Sequence, residues 1–197
     1  MKKGSNINHP SKGAETKVQP IKEKRDIELI KQNLSADPRN LALFTIGINT
    51  NLRASDILSL KTGQVKNLLP EDSIEIREKK TKKTRMVTFN KACINAIRRH
   101  LASNSQNDCD PLFLGQRGPL TVPYVNRLVK GWCRSIKLPG NYGSHTLRKT
   151  WGYHQRVSFG VDIMKLMICF NHSTQRQTLS YLGIQPWEIR EVFKNEI

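Results

Sequence analysis

The sequence predicts a mainly α-helical domain with one small β-hairpin, which places it in the α+β class. Apolar residues recur at intervals of three and four through most of the chain, as in helices that bury one face. Only residues 73–77 and 85–89 alternate apolar and polar side chains as strands do. The length of 197 residues suits one domain with a tail. We expect a flexible basic arm over residues 1–20 and the domain over residues 21–197.

The N-terminal half of the domain is expected to contain three helices before the hairpin. Apolar residues at helical spacing predict the first over residues 26–34. Asp37 followed by Pro38 is typical of an N-cap and a first turn, and it predicts an almost wholly apolar helix over residues 39–48. A polar break then leads to a short helix that Ser55 is expected to cap.

The two alternating stretches are expected to pair as a β-hairpin. Ile74 and Ile76 share one face of the first strand, and Val87 and Phe89 share one face of the second. Their connection, EKKTKKT, contains four lysines, so the tip of the hairpin is strongly cationic.

The C-terminal half is expected to be helical apart from its connections. The predicted helices cover residues 91–103, 121–136, 145–158, 161–170 and 173–181, and a last helix begins at Pro186 or Trp187. Thr121, Ser144 and Ser173 are the expected N-caps, and Gly183 is expected to end the helix before it.

Charge and composition indicate the class of partner. The net charge is +17, from 33 Lys and Arg against 16 Asp and Glu, so the expected partner is a polyanion: DNA, RNA or an anionic membrane. The arm over residues 1–20 either contacts nucleic acid or has no role of its own. No apolar run approaches the roughly 18 residues that a membrane-spanning helix needs, and no signal peptide is apparent. We therefore expect a soluble, cytoplasmic protein.

Neither a metal site nor a nucleotide site is expected. No two cysteines have Cys-x-x-Cys spacing, which disfavours a zinc site or a disulfide framework. No acidic cluster suits a two-metal nuclease, and no phosphate-binding loop for ATP is present. We therefore expect no cofactor.

Residues 143–182 gather polar side chains that one phosphate could use. His145 and Arg148 are three residues apart and would share a helix face. His172 and Tyr181 are nine apart, so one continuous helix would point them in opposite directions. His172 is therefore expected in the loop before the helix that carries Tyr181.

Arg53 adds a cation from the N-terminal half. It lies between apolar helices and therefore needs an anionic partner. Asp56, three residues on, could pair with it, so a purely structural ion pair is the alternative to a phosphate contact. Considered singly, the other residues also have structural interpretations: a surface charge for Arg148, polar turns for the histidines, and the edge of the core for Tyr181.

Phosphodiester cleavage is a reaction that could use these arginines, histidines, tyrosine and hairpin lysines together. Without a metal, the charge on the non-bridging oxygens must be neutralised, which two arginines do with bidentate hydrogen bonds. A histidine can carry a proton, and nearby cations favour the phenolate form of a tyrosine nucleophile. The leaving alcohol needs a proton, which a lysine on the hairpin could bring.

Five motifs in a fixed order resemble the catalytic domain of the tyrosine recombinases, the phage integrase family. They are R-x-x-D in NLRASDILSL, the lysine hairpin, H-x-x-R in SHTLRKT, NHST, and the tyrosine of TLSYL. The spacings of 24 residues from Arg148 to His172 and of nine to Tyr181 also fit the family. The resemblance covers residues 20–197 and implies a site-specific DNA recombinase or integrase.

The resemblance implies a role for each residue of the site. Arg53 and Arg148 would grip the scissile phosphate, and His145 would handle a proton. His172 would occupy the position that the family fills with histidine or tryptophan. Tyr181 would attack phosphorus, giving a 3′-phosphotyrosyl link and a free 5′-hydroxyl without metal or ATP.

The family pattern K-x-x-K-x-R, aligned on the hairpin, makes Lys80 the general acid, with Lys79 and Lys82 as competitors. The implied partners are double-stranded DNA, three further copies in a synaptic homotetramer, and accessory proteins, with no membrane. The last helix would pack in trans on a neighbouring protomer. The alternatives are a type IB topoisomerase-like enzyme and a non-catalytic DNA-binding accessory protein of the same fold.

The chain departs from the family pattern in three places. Asn51 stands where the family usually has glycine two residues before the first arginine, and Asn171 replaces the glycine before the later histidine. Asparagine tolerates the left-handed backbone that glycine serves, so the chemistry is expected to be intact. The usual N-terminal helical domain does not precede these motifs, which fits a minimal recombinase, a fragment, or a member that relies on partners.

Overall fold

The computed structural model describes residues 18–183, 194 and 196. Within them lie α1 (Lys24–Asn33), α2 (Pro38–Gly47), α3 (Ala54–Ile57), α4 (Thr62–Val65), β1 (Ser73–Arg77), β2 (Thr84–Thr88), α5 (Lys91–Ala102), β3 (Leu114–Gly115), β4 (Gly118–Pro119), α6 (Val122–Ser135), α7 (Ser144–Val157), α8 (Ile163–Phe170) and α9 (Gln175–Leu182). β1 pairs antiparallel with β2, and β3 with β4. The predicted α+β class is therefore confirmed. Across the part of the chain that is described, no helix is both long and apolar enough to cross a bilayer.

Several helix starts follow from local capping. Asp37 accepts the backbone N–H of Asn40 at 3.0 Å and caps α2, with Pro38 in the first turn. Thr121 caps α6 by accepting the N–H of Tyr124 at 3.4 Å. These starts confirm the predictions, because each depends on residues that are adjacent in the sequence.

The other three predicted N-caps are wrong. The observed N-caps are Arg53 for α3, Gly143 for α7 and Thr174 for α9, in place of Ser55, Ser144 and Ser173. At α7 the cause lies across the fold, because the side chain of Asn126 on α6 accepts the N–H of Ser144 at 3.0 Å. That acceptor makes a serine cap unnecessary, and Ser144 becomes the first residue of the helix.

Helix α4 and the small β3–β4 hairpin were not predicted. The N–H groups of Thr62 and Gly63 donate to the carbonyls of Asp110 and Asp108, each at 3.0 Å. These contacts join segments almost fifty residues apart, so no local sequence pattern predicts them. The arm up to residue 17 lies outside the described residues, as does the predicted last helix apart from residues 194 and 196.

The apolar core is divided in two, and the second part supports the candidate site. The main core contains α2 and the aromatic rings of Phe44, Phe89 and Phe113, each at most 1% exposed. A smaller cluster, Leu166, Phe170 and Leu182, joins α8 and α9 to α7. Gly152 on α7 faces the side chains of Phe170 and Leu182, where a Cβ atom would clash. The glycine therefore lets these three helices approach closely.

Candidate active site

The structure brings the six candidate residues to one side of the domain from five separate segments. The α2–α3 connection carries Arg53, the hairpin turn Lys80, α7 both His145 and Arg148, the α8–α9 loop His172, and α9 Tyr181. The charges of Arg53 and Arg148 act on both His172 and Tyr181, and the charge of Lys80 acts on His145.

Two left-handed asparagines shape the loops that present the site. Asn51 has φ 54°, and Asn171, which ends α8, has φ 55°. Both values confirm that asparagine adopts the backbone expected of a glycine here. The side-chain amide of Asn51 also donates to the carbonyl of Cys169 at 2.8 Å, which joins the Arg53 loop to the His172 loop. The turn at Asn171 places His172 before α9, as predicted.

Arg148 is a buried cation with unused hydrogen-bonding capacity. It is 3% exposed, and its Nη2 donates to the carbonyl of Phe170 at 3.3 Å. Its Nη1 is buried and makes no hydrogen bond of good geometry within the described residues. Burial lowers the pKa of Arg148 to about 10, although the nearby Tyr181 opposes the change. The guanidinium therefore remains charged at neutral pH and can donate to an anion.

Arg53 lies between two buried carboxylates. Its Nη1 is 2.7 Å from Glu78 and 3.9 Å from Asp56, whose side chains are 6% and 0% exposed. The sequence indicated Asp56 as the partner, but Glu78 at the base of the hairpin is the closer one. Because the Arg53 side chain keeps 17% exposure, it remains accessible to a ligand.

His172 is held by packing and by one hydrogen bond. Its ring stacks on Phe170 at 5.2 Å, and Nδ1 lies 3.0 Å from the hydroxyl of Thr178. Nε2 is therefore the ring nitrogen left for a ligand. Burial lowers the pKa of His172, and the charges of Arg148 and Arg53 lower it further.

His145 lies exposed in the first turn of α7. Partial desolvation by its neighbours lowers the pKa of its imidazole, and the charges of Arg148, Lys80, Arg53 and Lys149 act in the same direction. At neutral pH the ring is therefore uncharged and able to accept a proton.

Tyr181 is surrounded by aromatic and cationic groups. Its ring lies 5.1 Å from Phe170 and 5.2 Å from His172, and Nζ of Lys149 is 4.9 Å from its centroid. Burial raises the pKa of the Tyr181 phenol above its usual value, and the charges of Arg148 and Arg53 offset only part of that rise. The sequence analysis missed Lys149, which is 9% exposed, because neither its burial nor its contact with the ring is visible in the spacing.

The lysine turn occupies residues 78–83 between β1 and β2. The N–H of Glu78 donates to the carbonyl of Lys83, and the N–H of Lys82, at φ 59°, donates to the carbonyl of Glu78. Of the three candidate lysines, Lys80 has a charge that acts on His145. The side chain of Lys80 is exposed and therefore free to reach a substrate.

All four cysteines of the chain are free thiols in the structure. Burial raises the pKa of the Cys93 and Cys133 thiols to about 12, so both are core residues. Within the described residues, no three His, Cys, Asp or Glu side chains form a group that could hold a metal.

Known proteins resemble this chain over most of its length. A model of the phage integrase family matches residues 22–186. The chain is 34% identical over 180 residues to the probable integrase/recombinase YoeC of Bacillus subtilis (strain 168), covering 90% of this chain and 96% of YoeC. It is 30% identical over 165 residues to the tyrosine recombinase XerC of Caldanaerobacter subterraneus subsp. tengcongensis, covering 81% of this chain and 45% of XerC.

A solved structure shares the fold. The XerH site-specific recombinase, bound to a palindromic difH substrate in a post-cleavage complex, matches with a TM-score of 0.70 and 20% identity, over 91% of this chain and 53% of that chain. The chain thus spans almost all of YoeC but only about half of XerC and XerH. The family model and the two relatives show that the chain belongs to the phage integrase family of site-specific tyrosine recombinases.

Proposed function

We propose that the chain cleaves and rejoins duplex DNA in the cytoplasm through a 3′-phosphotyrosyl intermediate on Tyr181. The observation that carries the proposal is the buried guanidinium of Arg148, which lies beside Tyr181 and keeps Nη1 without a hydrogen-bond partner of good geometry among the described residues. A scissile phosphate is the anion that such a group would bind next to a phenol nucleophile. The net charge of +17 supports a polyanionic substrate, and the related XerH structure contains DNA.

The cleavage step follows from the placement of the charges. Arg53 and Arg148 bind the non-bridging oxygens, and the phenol oxygen of Tyr181 forms a bond to phosphorus. The phenol proton passes to the neutral imidazole of His145, and the bond from phosphorus to the 5′ oxygen breaks as Lys80 protonates that oxygen. Rejoining is the reverse, with a 5′-hydroxyl as the nucleophile. One phosphoester replaces another, so the step consumes no ATP.

We further propose that recombination requires four protomers on two duplexes, because each active site cuts one strand and an exchange requires four cuts. The last helix, which lies outside the described residues, would join neighbouring protomers in trans. We expect cleavage without accessory proteins, since all six proposed active-site residues belong to one chain.

The proposal is tested by trapping the intermediate. Fragments of the genome that encodes the chain are nicked lightly and incubated with the protein, so that a short strand released beside a nick diffuses away and prevents rejoining. We expect DNA bound covalently to the protein through its 3′ phosphate, with a 5′-hydroxyl on the released strand. Sequencing the linked DNA then identifies the site.

Two further measurements separate the alternatives. An accessory DNA-binding protein would retain DNA under native conditions and lose all of it on denaturation. A topoisomerase-like enzyme would relax a supercoiled plasmid that lacks the recovered site. Either result would contradict the proposed site-specific recombination.

Replacement of Lys80 by alanine is expected to slow cleavage by about 100-fold, because general acid catalysis contributes about 10²–10⁴-fold. A duplex whose scissile 5′ oxygen is replaced by sulfur should restore the rate, since a thiolate leaves without a proton. Single-turnover cleavage of the recovered site on both duplexes measures the effect. If sulfur rescues Lys79→Ala or Lys82→Ala instead, the general acid is that lysine.

A further inference from the structure

The base of the lysine hairpin is held by one buried carboxylate between two arginines. Oε2 of Glu78 is 2.7 Å from Nη1 of Arg53, and Oε1 is 3.4 Å from Nε of Arg85. The hydroxyl of Thr81 donates to Oε2 at 2.6 Å. Burial by itself raises the pKa of Glu78, but the hydrogen bonds from Thr81 and Arg53 and the charges of both arginines hold it below its usual value. The carboxylate is therefore ionised and links the turn to Arg53.

Arg85 joins the same hairpin to the two loops that present Arg53 and His172. Its Nη2 donates to the carbonyl of Asn51 at 2.8 Å, and its Nη1 donates to the carbonyl of Cys169 at 3.3 Å. Asn51 lies two residues before Arg53, and Cys169 lies three residues before His172. A single guanidinium thus spans three segments of the site, which the fork of an arginine permits and the ammonium of a lysine does not.

We propose that Glu78 and Arg85 are positioning residues that fix the Lys80 turn, Arg53 and the His172 loop relative to one another. The inference rests on the recombinase activity proposed above, in which these three segments act on one phosphate. Neither residue touches the reacting atoms in this role; both act through the groups that do.

The charges explain why the pair is needed. Without the Glu78 carboxylate, Arg53 and Arg85 would repel each other, and the carboxylate left beside Arg53 would be that of Asp56 at 3.9 Å. The turn would also lose its link to Arg53. Its remaining hydrogen bond to α3 would be the one that the backbone N–H of Lys79 donates to Asp56 at 2.9 Å. A displacement of about 1 Å at a reacting group costs on the order of 100-fold in rate.

The test compares one variant on three duplexes that differ only at the scissile phosphate. Glu78→Gln keeps the shape of the side chain and removes its charge. We expect its single-turnover rate to fall by about 100-fold on the ordinary duplex, with unchanged affinity. The deficit should shrink by about tenfold on a 5′-thio duplex, which needs no proton from Lys80, and on a methylphosphonate duplex, which has no charged oxygen for Arg53 to neutralise.

Comparing rates within one preparation removes the effect of any loss of folded protein. Glu75→Gln, on the exposed side of the adjoining strand β1, is the matched control and should cleave like the wild type. Arg85→Lys, which keeps the charge but loses the fork, should show the same pattern as Glu78→Gln. An equal deficit on all three duplexes would mean a merely structural role, and a wild-type rate would mean no role; either result overturns the inference. If the wild type itself forms no adduct, it is the proposed function that fails.

Discussion

Replacing Tyr181 by phenylalanine is expected to abolish the covalent protein–DNA complex while the protein still folds and binds the recovered duplex. The substitution removes only the hydroxyl, so the ring contacts with Phe170 and His172, at 5.1 and 5.2 Å, are retained. Removing the nucleophile of a covalent mechanism lowers the rate by on the order of 10⁶-fold, which is below detection here. Denaturing electrophoresis of the nicked duplex after incubation measures the adduct, and retention of the same duplex under native conditions measures binding.

The control for this prediction is another tyrosine of the same chain. Tyr124 on α6 is half-buried, and its ring lies 5.4 Å from the guanidinium of Arg127, so it shares the chemistry of Tyr181 but lies outside the candidate site. Tyr124→Phe should form the adduct as the wild type does. An adduct with Tyr181→Phe would assign the nucleophile to a different residue and remove the basis of the proposed mechanism.

The sequence was most informative where the cause of a structure is local. The cap at Asp37, the strand alternation at Ile74 and Ile76, and the break at Asn171 each depend on a few neighbouring residues, and each was predicted within one or two positions. The motif order also identified the segments that meet at the site. The spacing of nine residues from His172 to Tyr181 predicted that His172 lies in the loop before the helix that carries Tyr181.

What the sequence could not show depends on contacts between distant segments. Glu78 reaches Arg53 across 25 residues, and in the sequence it is one acidic residue beside a run of lysines. Asn126 replaces the serine cap of α7 from another helix. Lys149 packs on Tyr181 where α7 approaches α8 and α9, an approach that Gly152 permits. In all three cases a local pattern fits several environments, and tertiary packing selects one.

Replacing Arg148 by lysine is expected to lower the cleavage rate by about 10²–10³-fold, the usual loss when one donor to a developing oxyanion is removed. Lysine keeps the positive charge, but it cannot both donate to the carbonyl of Phe170, as Nη2 does at 3.3 Å, and present a second N–H to the phosphate. Single-turnover cleavage of the recovered duplex measures the loss.

A methylphosphonate at the scissile position distinguishes phosphate binding from support of the fold. With one charged oxygen replaced by a methyl group, less charge needs neutralising, so the deficit of Arg148→Lys should shrink on this duplex. Arg39→Lys is the matched control, because Nη1 of Arg39 also donates to a carbonyl, that of Leu114, at 3.1 Å. Arg39 lies in the first turn of α2, whereas Arg53 follows the opposite end of that helix. It should cleave both duplexes like the wild type. If Arg148→Lys is equally slow on both duplexes, the buried guanidinium supports the packing around Phe170, and the phosphate must be bound elsewhere.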